Sequence, residues 1–291
     1  MQRLILPGTV FLAVLAASFV VGANSIGADL PAHFSQGSSA DYYRDLIGVV
    51  SGDWQEYGRL FTDLQGQLIW KVFLAVITLI PLAFFIHYVV IGAKEFSHDG
   101  AEVLFFPIFA RIIHLIAAIS FALLTITGLM VILGSFLGGG ALVRTARYIH
   151  IGAAIIFACD APFMFLIWVK DMLPASYDIK WMFMLGGYLS KEKKPVPAGK
   201  FNAGQKMWFW GATLGGGVMA YTGYVIWAMQ APLDTVRIYV IIHNVLAAGL
   251  LAFFLTHLYM SIFAIKGSLN SMLTGYKPKD EVDILHSRYN Y

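Results

Sequence analysis

Apolar positions in this chain come in long unbroken runs rather than in alternation. Five runs, at about 68–92, 108–133, 148–170, 207–229 and 238–265, reach the roughly 20 residues that a helix needs to cross a hydrocarbon core of about 30 Å. A sixth, at about 4–23, opens the sequence. Backbone polar groups in lipid must be satisfied internally, and no ten-residue period-two pattern points to a barrel. The pattern therefore predicts an all-α membrane protein.

Composition agrees: 58% of residues are hydrophobic, 13% are charged and mean hydropathy is +0.70. A soluble domain does not bury that much apolar surface. The single cysteine, Cys159, lies inside a predicted helix. It excludes an intrachain disulfide, cysteine-ligated iron–sulfur clusters and a c-type haem on this chain.

The first run carries Arg3 and ends in Val21-Gly22-Ala23. Residues 1–23 read as a signal peptide or a retained signal anchor. Residues 24–66 form a polar and aromatic segment, residues 67–93 an additional membrane helix, and residues 276–291 a polar tail. The connection between the third and fourth runs holds Lys170, Lys180, Lys191, Lys193, Lys194, Lys200 and Lys206, and the stretch after the last run adds Lys266, Lys277, Lys279 and Arg288. The opposite connections hold only Arg144, Arg147 and Arg237. By the positive-inside rule the lysine-rich connection and the C-terminus are cytoplasmic, which leaves 24–66 on the periplasmic side.

Histidines then stand out. His33, His98 and His286 lie in polar stretches, where solvation suffices. His114, His150, His243 and His257 lie in apolar runs, where ionisable side chains are functional by default. His243 and His257 are fourteen residues apart, about 21 Å along a helix and within about 40° of the same side. One helix thus presents two imidazoles, one near each membrane face. Depth pairs His150 with His243 on the outer side and His114 with His257 on the inner side. Two stacked b-type haems require such pairs. The other reading is interhelical hydrogen bonding by polar residues. His87, near the cytoplasmic end of its run, competes with His114 and reads as interfacial.

"KFNAGQKMWFW" (Lys200–Trp210) and "HNVLAAGLLAFFLTHLYMSIFAIKGSLNSML" (His243–Leu273) resemble the cytochrome b556, or gamma, subunit of membrane-bound respiratory formate dehydrogenase. The resemblance implies a four-helix dihaem cytochrome b core, assigned to residues 106–275, with 67–93 as an extra transmembrane helix. It implies two haems b, ligated at the inner level by His114 and His257 and at the outer level by His150 and His243. It also implies a quinone site at Asn202, Gly204 and Gln205, with menaquinone or ubiquinone as substrate. From the residues alone, Asn202 can equally be a helix cap and Gly204 a turn residue.

Asp160 departs from that family's pattern. A carboxyl in lipid is neutral or paired. It either relays protons or bonds to the carbonyl that Pro162 frees. Arg144, Arg147 and Arg237 either contact outer-haem propionates or anchor helix ends.

These expectations describe an electron-transfer and quinone-reducing subunit with no formate chemistry of its own. Its implied partners are an iron–sulfur beta subunit and a molybdenum or tungsten catalytic alpha subunit. It would sit in the bacterial inner membrane, amid lipid and quinone, with no role for nucleic acid. A cytochrome b of a nickel–iron hydrogenase or thiosulfate reductase shares the haem logic and differs in its partner. A transporter with structural histidines would bind no haem.

Overall fold

The computed structural model describes residues 57–97 and 100–291. The expected signal peptide or anchor at 1–23, most of the 24–66 segment, His33 and His98 lie outside the described residues.

Four helices among the described residues are long and apolar enough to cross a membrane: α1 (Gly58–Val90), α2 (Ile108–Ile132), α3 (Gly140–Trp168) and α7 (Leu233–Ile262). α1 contains a π-helical turn at Leu64–Leu68. The expected run at 207–229 is helical but interrupted: α5 (Ala203–Trp210), a π turn at Gly211–Gly215, then α6 (Gly216–Ala228). Two glycines, Gly211 and Gly215, bound that turn and leave the backbone with few side chains to hold a regular α geometry. Between α3 and α5 lies α4 (Ser176–Met184).

α1 leaves Leu79, Leu82, Phe85, Ile86, Val89 and Val90 exposed along its second half. Such a continuous apolar surface suits lipid rather than water. Between α2 and α3, Gly138, Gly139 and Gly140 all have positive φ (77°, 63° and 67°), a run of left-handed residues that side chains with a Cβ resist.

The chain divides into two compact units that share the long helices. One holds the described residues through Phe73 with Ile116–Cys159 and Val218–Ala247; the other holds Leu74–Leu115, Asp160–Gly217 and Ala248–Tyr291. In the first, Trp70 packs on Phe136 at 5.2 Å and Phe121 on Phe157 at 5.5 Å between ring centres. Buried Arg237 bonds Asp234 Oδ1 at 2.9 Å, and its guanidinium lies so close to Gly58 that a Cβ there would meet Nη1 at 3.0 Å. It anchors the start of α7. Arg144 and Arg147 are exposed.

The second unit has the larger core: Phe105, Phe106, Trp168, Met172, Phe201, Phe209 and Val282 are all buried. Each such side chain removed from water contributes about 1.5–3 kcal/mol. The tail is part of this core. α8 (Asn270–Thr274) leads through Gly275 into β2 (Tyr276–Pro278), which pairs antiparallel with β1 (Glu102–Leu104), Val103 opposite Lys277. Gly275 has φ +96°, and a Cβ on it would come 2.6 Å from the Phe106 carbonyl oxygen. α9 (Lys279–Leu285) follows, with Glu281 buried and bonded to Lys277.

His286 therefore corrects the solvated expectation. Its side chain is buried, and Nδ1 donates to the Gly199 carbonyl at 2.8 Å. Burial first, and then the Lys277 charge, pushes its pKa down from 6.5 to about 3. The backbone around it closes the contact: Val196 N–H donates to Ile284 O, Ser287 N–H to Val196 O and Arg288 N–H to Ala198 O. Nor is the lysine-rich connection wet throughout. Lys206 is buried, with Nζ 2.8 Å from Asp178 Oδ2, and Lys94 donates to the carbonyls of Ser190 and Glu192.

Candidate metal centres

The four helix histidines meet in two pairs, one inside each unit. In the first unit His150 of α3 faces His243 of α7, with ring centres 6.5 Å apart and planes at 62°. In the second, His114 of α2 faces His257 of α7 at 6.2 Å and 56°. These are the partners that depth assigned.

The spacing has a chemical meaning. Two imidazoles in direct contact would stack or hydrogen-bond more closely. Two imidazoles sharing one metal, each nitrogen about 2 Å from the ion and about 1 Å from its ring centre, stand about 6 Å apart between centres. No group of three or more His, Cys, Asp or Glu side chains able to hold a metal occurs among the described residues. Each pair thus offers two imidazole nitrogens and no further side-chain ligand among the described residues. That donor set would fit a haem, which carries its own nitrogen ligands, and does not fit a structural zinc site.

The surroundings of the two pairs differ. His150 Nδ1 lies 3.0 Å from Thr127 Oγ1, and His243 Nδ1 lies 2.9 Å from Thr222 Oγ1. Gly128 and Gly223 lie against the same rings: a Cβ at either would approach the imidazole Cε1 to 3.4 Å or 3.3 Å. At the other pair the neighbours are aromatic. Trp208 stacks on His257 at 5.4 Å and 19°, and Trp168 meets His114 edge-on at 6.1 Å. Sequence reasoning did not single out these threonines and tryptophans. The available signal was the Thr-Gly dipeptide, which occurs at 127–128 and 222–223 but also at 274–275.

His87 joins neither pair. Its Nδ1 lies 2.6 Å from Tyr259 Oη, and its Nε2 lies 2.9 Å from the Tyr188 carbonyl oxygen. One tautomer satisfies both contacts: Nε2–H donates to the carbonyl, and Nδ1 accepts from the phenol. Both ring nitrogens are thereby occupied.

Asn202 and Gln205 form a reciprocal cap at the start of α5. Gln205 N–H donates to Asn202 Oδ1 at 2.9 Å, and Asn202 N–H donates to Gln205 Oε1 at 3.0 Å. The two amide oxygens are used by the backbone, which leaves the NH₂ groups as donors toward a ligand. Gly204 gives clearance to Trp181, whose ring would lie 2.9 Å from a Cβ at that position. Trp208, which stacks on His257, lies on the helix this cap begins. Phe201, beside the cap, packs on Trp168 at 5.8 Å. Asp160 is buried, and its Oδ2 has no hydrogen-bond partner among the described residues.

Comparison with known proteins places this geometry in a family. Residues 105–275 match the family described as Prokaryotic cytochrome b561. The chain is 34% identical over 137 residues to the nitrate-inducible formate dehydrogenase cytochrome b556(Fdn) subunit of Escherichia coli K12, covering 45% of this chain and 63% of the relative. It therefore spans somewhat less than two thirds of that relative's length. Identity is 28% over 175 residues to the formate dehydrogenase cytochrome b556 subunit of Haemophilus influenzae, covering 57% of this chain and 73% of the relative. To the Escherichia coli K12 cytochrome b556(fdo) subunit it is 26% over 174 residues, with 57% and 81% covered. With the family pattern covering more than half of the chain, and with apolar helices that carry paired imidazoles, this all-α membrane protein belongs to the prokaryotic cytochrome b561 family.

Proposed function

We propose that the chain is the membrane-anchor cytochrome b subunit of a formate dehydrogenase, carrying electrons from an iron–sulfur subunit through two haems b to a quinone near the cytoplasmic face. The observation that carries this reading is the pair of imidazole spacings, 6.5 Å and 6.2 Å, each of which suits one bis-histidine iron. The relatives' printed names supply the formate dehydrogenase context.

When bound, the haems supply reversible one-electron chemistry. The residues of the chain do the rest. His150 with His243 would hold one haem iron, and His114 with His257 would hold the other. Asn202 and Gln205 present NH₂ donors to a quinone carbonyl, and Gly204 lets Trp181 pack under the same turn. The lysines of 170–206 favour a cytoplasmic location for that end. Electron entry from the periplasm with proton uptake from the cytoplasm stores about 2.3 kcal/mol per charge at 100 mV. The catalytic alpha subunit, with molybdenum or tungsten, supplies the formate chemistry that this chain lacks.

Purification of the intact complex tests the reading. Two low-spin, bis-histidine b haems per chain are expected. A ratio of one, or a chain free of haem as a transporter would be, overturns it. Identification of a hydrogenase or thiosulfate reductase catalytic subunit in the complex would keep the haems and replace the partner.

A further inference from the structure

The two imidazole pairs are held differently, and the difference has a direction. Thr127 and Thr222 are 3% and 1% exposed. Each hydroxyl donates back to its own helix: Thr127 to Leu123 O at 2.5 Å and Thr222 to Val218 O at 2.8 Å. A hydroxyl has one proton to give. With that proton committed to the backbone, the short contacts to His150 and His243 require the ring nitrogen to donate. Nδ1 therefore carries the proton in both histidines, and Nε2 carries the lone pair a metal needs. Gly128 and Gly223, each next in sequence to its threonine, keep the helix surface clear where the rings lie against it. The same dipeptide thus serves two different helices, α2 and α6. His114 and His257 have no such arrangement: among the described residues no hydrogen bond reaches either ring, and their neighbours are tryptophans.

We propose that Thr127–Gly128 and Thr222–Gly223 are matched seats that lock the tautomer and orientation of His150 and His243, making the haem at that level harder to reduce than the haem between His114 and His257. A ligating imidazole that donates its other N–H is more basic and more firmly oriented. Greater basicity of both imidazoles would favour the oxidised iron. The potential step therefore runs from the Thr-seated level to the tryptophan-flanked level, and electrons travel downhill along it. Thr127 and Thr222 are positioning residues that act through the histidines. This inference rests on the haem-binding reading above.

The test is a redox titration of the intact complex, followed by optical and low-spin EPR spectra. Thr127→Val and Thr222→Val remove the hydroxyl at nearly constant volume. Each is expected to raise one of the two midpoint potentials, and the double variant to raise it further, with the other haem unmoved. Loss of that haem to a scavenger protein should quicken about 10–100-fold, the usual effect of removing an outer-shell partner. Thr127→Ser and Thr222→Ser, which keep the hydroxyl, should restore the wild-type potential. Gly223→Ala should change the g-values of the same haem by turning the His243 ring. Unchanged potentials and haem retention in the double valine variant overturn the proposal, as do equal shifts of both haems or a failure of serine to restore. A wild-type complex without two b haems defeats the haem reading itself, and this proposal with it, before any variant is made.

Discussion

Tyr259 Oη lies 2.6 Å from Nδ1 of His87 while the opposite ring nitrogen is bonded to the Tyr188 carbonyl. A fifth helix histidine thus has both ring nitrogens engaged by other groups. His87→Phe should retain two haems per chain. It should lower stability by about 1–3 kcal/mol, because the phenol and the carbonyl lose a partner. Haem content and thermal denaturation read the two effects separately. A variant holding a single haem would bring His87 into the ligand set.

On the proposed reading, the two histidine pairs predict a pattern of losses. His150→Ala or His243→Ala should remove one haem, and His114→Ala or His257→Ala the other, with about one haem left per chain in each case. Spectra of the first two variants should match each other, as should spectra of the last two. If His150→Ala resembled His114→Ala instead, the pairing would be wrong.

At the Asn202 cap, the backbone role and the ligand role can be separated. Asn202→Ala removes both, and losing the cap should cost about 0.5–2 kcal/mol. Asn202→Asp keeps an oxygen for the Gln205 N–H but has no NH₂ donor. It should keep stability and formate-driven haem reduction while slowing quinone reduction. Quinone turnover at the wild-type rate in Asn202→Asp would reduce this stretch to a helix start.

His286 predicts a pH dependence. Its folded pKa, about 3, lies below the unfolded value of 6.5, so between those values the unfolded tail binds the extra proton. Its contribution to stability is complete above pH 6.5 and declines as pH falls from 6.5 toward 3, by up to about 1.4 kcal/mol per unit. The protection factors of the Val282–Arg288 amides, which already allow for the pH dependence of intrinsic exchange, should fall between pH 7.5 and pH 5 in the wild type. In His286→Gln the same change should be much smaller. Equal pH sensitivity in the two proteins would assign the effect to other groups.

Much of the site was legible because helices repeat every 3.6 residues. Fourteen residues between His243 and His257 imply one side and two levels before any coordinates exist. The threonine seats were not legible. A threonine in an apolar helix ordinarily bonds its own i−4 carbonyl, and Thr78, Thr213 and Thr256 do that without a hydrogen bond to any histidine ring. Only the positions of α3 and α7 reveal that Thr127 and Thr222 do more. His286 was misread because its burial depends on contact with the 196–199 stretch, with Gly199 lying 87 residues earlier in the chain, a contact that local composition does not encode. Lys206 was counted as a surface cation for the same reason: its partner, Asp178, belongs to another helix 28 residues away.

The seam between residues 196–199 and 284–288 has a consequence for biosynthesis. Ser287 reaches Val196 across 91 residues of sequence. At about 5–20 residues per second, the ribosome delivers the second half of the seam roughly 5–20 s after the first. Throughout that interval the stretch leading into Asn202 lacks the backbone partners that fix it, while α7 is still being made and inserted. The end that carries this seam is therefore the last part of the described chain to set, and the cap at Asn202 stays open on one side until the tail arrives.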